Sequence, residues 1–191
     1  MPATVYPDTM TDGSCTMAKI IYSAAMSLDG YIAATGGDMS WLTEHLGGPN
    51  PAADRLLAGI GAILAGHRTF AGDDPNRGTP SEGAFGGRYH GPVFVLTHRP
   101  PETPVPGVTF VTDLADALAQ AERAAGDGYV NILGADVARQ CLAAGRLDEI
   151  LMFVAPVLLG DGVRVLDQPG GTRIRLQRLP DTDEHWYRVL R

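Results

Sequence analysis

Apolar residues in this chain fall into short runs separated by polar and glycine-rich stretches, and many of the runs are followed by a segment of helical period. Lys19–Met26 (KIIYSAAM), Ala62–Ala65 (AILA), Pro92–Thr97 (PVFVLT), Val108–Val111, Tyr129–Leu133 (YVNIL) and Ile150–Leu159 read as buried strands. Between them, Leu56, Leu57 and Ile60 give one helix its apolar face, and Leu114, Ala117, Leu118 and Ala121 give another. A third carries Val137, Ala138, Cys141 and Leu142, with Gly145 placed for a left-handed cap. Asn50 before Pro51 and Asp113 before Leu114 are the expected N-caps. Alternation of this kind predicts an α/β domain of parallel strands joined by crossover helices. Arg173–Leu179 and His185–Leu190, on either side of Pro180-Asp181-Thr182-Asp183, predict an antiparallel hairpin at its C-terminal edge.

The breaks in this pattern carry the candidate chemistry. The strand Tyr129–Leu133 is apolar apart from Asn131 and runs into Gly134-Ala135, where small residues let a ligand approach the backbone and the first helical amides attract anions. Ala62–Ala65 leads in the same way into Gly66-His67-Arg68-Thr69-Phe70, so two strand–glycine–helix bends are available to one extended ligand. Asp136, at the start of the third helix, is read as an N-cap rather than a ligand contact. Ser27-Leu28-Asp29-Gly30 is a turn leading to Tyr31-Ile32-Ala33, and Trp41 and Leu42 follow in a glycine-rich loop, either pinned to the core or lining a pocket. Residues 73–91 lack any period and read as a long surface excursion.

Composition narrows the class. The 191 residues fit one domain, residues 18–191, preceded by an irregular tail at 1–17 that lacks the basic and apolar regions of a signal peptide. A formal charge of −7 argues against nucleic acid or an anionic membrane surface as partner. Two cysteines, Cys15 and Cys141, make a disulfide framework or thiolate metal site unexpected, and a reducing cytoplasm is the expected location. The five histidines are scattered without metal spacing, and no P-loop, G-x-G-x-x-G or G-x-S-x-G occurs.

The segments SLDGYIA, GGDMSWL, LAGHRTF, VFVLTHR, ILGADVARQCL and LDEILMFVAPVLLGDG, in that order, resemble the dihydrofolate reductase-like family. The likeness is strongest to the reductase domain of bacterial riboflavin biosynthesis, the RibD C-terminal domain type, and its stand-alone relatives. The resemblance implies a three-layer fold with a mostly parallel central sheet and antiparallel C-terminal strands. It also implies NADPH as cofactor, a small pyrimidine- or pterin-like substrate, and a homodimer. Carried over by position, Ala25 and Ile32 border the nicotinamide; Gly66, His67, Arg68 and Thr69 follow the pyrophosphate and adenosine ribose; and Thr97, His98 and Arg99 meet the 2′-phosphate. Leu133, Gly134, Ala135, Asp136 and Val137 form the central turn, which keeps one glycine where relatives commonly have two.

The substrate side departs further from the family. Asn50 and Met152 occupy the places at which dihydrofolate reductases use a carboxylate and a threonine. That leaves Asp54 as the nearest proton donor, with an ordered water as its substitute, and Arg55 as nearly the only cation for an anionic substrate. Trp41 is the expected cover. Three readings stay open: a riboflavin-type reductase relative, a dihydrofolate or pterin reductase, and a non-catalytic NADPH-binding protein.

Overall fold

The computed structural model describes residues 17–171, 173–180 and 185–191, so the expected tail up to Thr16 and most of the Pro180–Asp183 turn lie outside the described residues. Nine residues, Lys19–Ser27, form β1, which is buried on both faces over its first half, as a central parallel strand requires. Tyr31–Ala33 forms β2, and two short 3-10 helices follow at Thr35–Gly37 and Ser40–His45. Then come α1 (Pro51–Gly59), β3 (Ile60–Gly66), the single turn α2 (His67–Phe70), β4 (Val93–Leu96) and β5 (Val108–Val111). The chain continues through α3 (Leu114–Ala125), β6 (Tyr129–Leu133), α4 (Ala135–Ala143) and β7 (Glu149–Ala155). It closes with β8 (Val163–Arg164), β9 (Arg175–Arg178) and β10 (His185–Leu190).

These strands build an eight-stranded sheet in the order β5-β4-β3-β6-β1-β7-β10-β9, with β2 and β8 pairing separately. All neighbours from β5 to β7 run parallel, and β10 lies antiparallel between β7 and β9. One face of the sheet, with Ile20, Tyr22, Leu64, Ile132 and Met152, packs on Leu118, Ala121, Val137 and Cys141 of α3 and α4. Leu56 of α1 packs on Ile21, Leu151 and Trp186 of the other face. Helix–sheet–helix is therefore the three-layer arrangement that the alternating pattern predicts.

Local chemistry sets the helix ends. The Asn50 side chain accepts from the Ala53 amide at 3.0 Å and the Asp113 side chain from Asp116 at 3.0 Å. Gly145, at φ +65°, closes α4, with the Arg146 amide returning to the Cys141 carbonyl. Two expectations need correction. β7 stops at Ala155 rather than running to Leu159, because Pro156 has no amide for the ladder and the next residues turn to grip Asp29. Trp41 and Leu42 sit in a 3-10 helix, not an irregular loop.

Candidate active site

The central strand of a covered sheet is ordinarily inaccessible, yet Ala24, Ala25 and Met26 are only half-buried. The cause is the early end of β6, at Leu133, while β1 continues to Ser27. β1 and β6 pair from Lys19↔Tyr129 to Tyr22↔Ile132 and no further, whereas β1 and β7 stay paired to Ser27↔Ala155. Beyond Tyr22, β1 runs on against β7 alone. That leaves one side of β1 without a strand neighbour at the carboxyl ends of the strands, the usual ligand position in open α/β sheets.

The two glycine bends lie side by side along one edge of this opening. Ala65 and Leu133 are in register, so Gly66 and Gly134 end neighbouring strands. Gly134 has φ +103°, and a side chain there would run into the Thr69 hydroxyl; a Cβ on Gly66 would press Val137 Cγ2 at 3.2 Å. Both positions therefore hold the backbone close to whatever lies in front of it. Gly134 is itself the N-cap of α4 and supplies no side-chain cap.

Asp136 is thus the second residue of the helix, in its first turn, rather than its N-cap, a correction with a visible reason. Its carboxylate is turned back to Arg139 at 2.8 Å and Gln140 at 2.8 Å. The hydrogen bond from Arg139 is the main cause that lowers its pKa, with the Arg68 charge a smaller contribution. The leading amides of α4 are left without a side-chain partner, as an anion site requires.

Basic groups gather on the adjoining strand ends. Gly66 is in register with Leu96, which brings His67 and Arg68 beside the segment Thr97-His98-Arg99. Thr97 is buried, donates its amide to the Val111 carbonyl at 2.9 Å and accepts from the Arg99 amide at 3.2 Å, fixing the direction in which the chain leaves β4. His67, Arg68, Thr69, His98 and Arg99 are all exposed. Val137 is buried at 2% exposure, so its part is to support Gly66 from below rather than to touch a ligand.

Asp29 secures the opposite lip. It accepts from Ser27 Oγ at 2.6 Å and from the amides of Leu159 at 3.1 Å and Gly160 at 2.7 Å, and Ser27 Oγ in turn accepts from the Tyr31 amide at 3.0 Å. The Ser27 hydroxyl first, and the two amides after it, hold the Asp29 carboxyl down at about 2. This knot explains why SLDG and LLGDG occur together: one binds the other, leaving Ala25 and half-buried Ile32 at the lip of the opening.

The substrate-side expectations fare differently. Asn50 uses its side-chain oxygen as the α1 cap, and Met152 is core. Asp54 is exposed and ion-paired to Arg88 of the 73–91 excursion at 2.7 Å, so it faces solvent instead of an enclosed substrate. The Arg55 guanidinium lies over the Trp186 ring, 4.7 Å from its centroid, beside β10 and away from the two bends. Both side chains are exposed on α1 and engaged by these partners. Trp41 is half-buried, with Nε1 covered and lacking a hydrogen-bond partner among the described residues.

Residue-type reasoning passed over a buried pair on the α1 face, in which Ser23 Oγ donates to Asn131 Oδ1 at 2.8 Å. Its only trace in the sequence is a polar residue interrupting each apolar run. Among the described residues no group of three His, Cys, Asp or Glu is placed to hold a metal ion. Burial pushes the Cys141 thiol up to about 12, consistent with a packing role.

The strand order, parallel up to β7 and closed by antiparallel β10 and β9, is that of the dihydrofolate reductase-like fold. A dihydrofolate reductase of Enterococcus faecalis solved with NADP(H) superposes with a TM-score of 0.55 over 90% of this chain and 94% of its own, at 17% identity. A solved structure from Shewanella sp. PV-4, assigned to riboflavin biosynthesis, gives 0.64 over 91% and 99% at 26% identity. The family model of the RibD C-terminal domain matches residues 18–186, and the chain belongs to that family. Riboflavin biosynthesis protein RibD of Mycobacterium tuberculosis is 26% identical over 178 residues, covering 83% of this chain and 48% of that protein. The chain thus spans about half the length of such curated relatives.

Proposed function

We propose that this protein is an NADPH-dependent reductase that delivers a hydride to a small pyrimidine- or pterin-like heterocycle, as a relative of the riboflavin-type reductases. The observation that carries this reading is the end of β1 left without β6 beyond Tyr22↔Ile132, beside the Gly134 bend that follows β6 and with the Gly66 bend on the next strand, β3. The residues fit the cofactor. The α4 amides and Arg68 would hold the pyrophosphate, Arg99 with His98 the 2′-phosphate, and Ala25 is small enough to admit a flat ring. NADPH when bound supplies the hydride; the chain supplies position and exclusion of water. Trp41, on the 3-10 helix after β2, covers the site.

With Asp54 engaged by Arg88, protonation falls to water entering the cleft. The same ion pair, together with capping Asn50 and buried Met152, argues against a dihydrofolate-type carboxylate–threonine grip. It also keeps a non-catalytic NADPH-binding protein in view as the second reading, which NADPH binding without turnover of any heterocycle would favour. The proposed partners are a small-molecule substrate and a second copy of the chain, with no nucleic acid and no membrane. Among the described residues no helix is long and apolar enough to cross a bilayer.

Arg99→Ala tests the assignment. We expect its KM for NADPH to rise at least about tenfold, the worth of a charge-assisted phosphate contact, with NADH little affected. Equal losses for both cofactors would contradict the placement of the 2′-phosphate.

A further inference from the structure

Helix α4 carries a residue that suits the helix and opposes the ligand. Asp136 is exposed in its first turn, where a carboxylate favours the helix dipole, yet Gly134 supplies no side-chain cap and the leading amides are the ones proposed to receive the pyrophosphate. A carboxylate in that turn can bend back to those amides and close them to any anion. Here both of its oxygens are drawn the other way. Oδ1 accepts from Arg139 Nη2 and Oδ2 from Gln140 Nε2, each at 2.8 Å. The two donors reach it because they follow at i+3 and i+4 and helical side chains lean toward the amino end. The hydrogen bond from Arg139, first among the causes that lower the Asp136 pKa, keeps the group ionised. One fixed negative charge therefore stands beside the open amides, withdrawn from contact with them but within electrostatic range.

We infer that Asp136 is a specificity-determining residue of the cofactor site, which favours the bridging pyrophosphate of a dinucleotide over a nucleotide that ends in a free phosphate. This rests on the NADPH reading and deepens it. A terminal phosphate carries most of a second charge at neutral pH, which a phosphate esterified on both sides lacks. The amides of α4 attract either one. Repulsion from Asp136 grows with the charge brought before it, so the terminal phosphate is the one turned away. Arg139 and Gln140 are positioning residues, since they hold the carboxylate off the amides and so leave these open to the dinucleotide.

The test is calorimetric binding of NADP⁺ and of adenosine 2′,5′-bisphosphate, which keeps the 2′-phosphate but ends in a free 5′-phosphate. In Asp136→Asn we expect affinity for the bisphosphate to rise at least about threefold more than affinity for NADP⁺, the worth of one further charge at partly screened range. Arg139→Ala releases the carboxylate and should weaken both ligands, whereas the same substitution made beside Asp136→Asn should change little. An unaltered ratio of the two affinities in Asp136→Asn would overturn the inference and leave the reductase reading standing. A loss in Arg139→Ala that persists beside Asp136→Asn would overturn it too, because Arg139 would then be touching the ligand itself. Failure of the parent protein to hold NADP⁺ at all would end both.

Discussion

At Gly134 both backbone geometry and a neighbouring side chain constrain the chain. Its φ of +103° excludes most residues, and Thr69 occupies the space a side chain would need. Gly134→Ala should lose about 2 kcal/mol in urea unfolding, the usual cost of a non-glycine residue forced into such a region. Thr69→Ala in the same chain should recover part of that loss by removing the clash while leaving the dihedral strain, so the two substitutions will not add. Asp29 offers a second test through pH. Its folded pKa, about 2, is below the ordinary 3.8, so the unfolded chain takes up the proton first. The stabilisation is therefore complete above about pH 4 and disappears as pH falls through about 2. Asp29→Asn should lower Tm near neutrality, and the gap to the parent protein should shrink across that window. Individual residues were legible where one chemistry dominated, as with Asn50 and Asp113. Asp136 was not, because a carboxylate at a helix start can cap or pair, and the Arg139 and Gln140 that claim it lie one turn further on.

Secondary-structure elements were read best where period and punctuation agree. β5, α3 and β6 have the bounds expected because each apolar run ends at a polar or glycine signal. β8 has two residues and no period to detect, and the 3-10 helix at Ser40–His45 follows an i+3 spacing that a search for α-helix does not find. Helix α1 is the element on which the substrate side turns. It is nine residues long and begins at a single side-chain cap, so Asn50→Ala should cost about 1 kcal/mol in thermal or urea unfolding. If Asn50 also touched substrate, KM would rise in step; the capping role predicts that KM at a stabilising temperature stays near that of the parent.

At the scale of the whole molecule, function follows from strand order rather than from any motif. β1 is threaded between β6 and β7, and it outlasts β6 at the carboxyl end, which leaves one side of it open in a way that no local pattern announces. The opposite end of the sheet is closed with comparable care. Glu149, 2% exposed, accepts from Trp186 Nε1 at 2.9 Å, Tyr129 hydroxyl at 3.0 Å and Lys19 Nζ at 3.2 Å, tying together β1, β6, β7 and β10. Burial first, and the Glu149 charge second, push the Tyr129 hydroxyl up to about 12, so it keeps its proton to donate to Glu149. The most direct check is a crystal structure of the NADPH complex. The account predicts the nicotinamide against Ala25 between β1 and β6, the pyrophosphate at the Gly134 end of α4 and the 2′-phosphate on Arg99. A dinucleotide bound anywhere else, or a protein that crystallises from excess NADPH without it, would contradict the account.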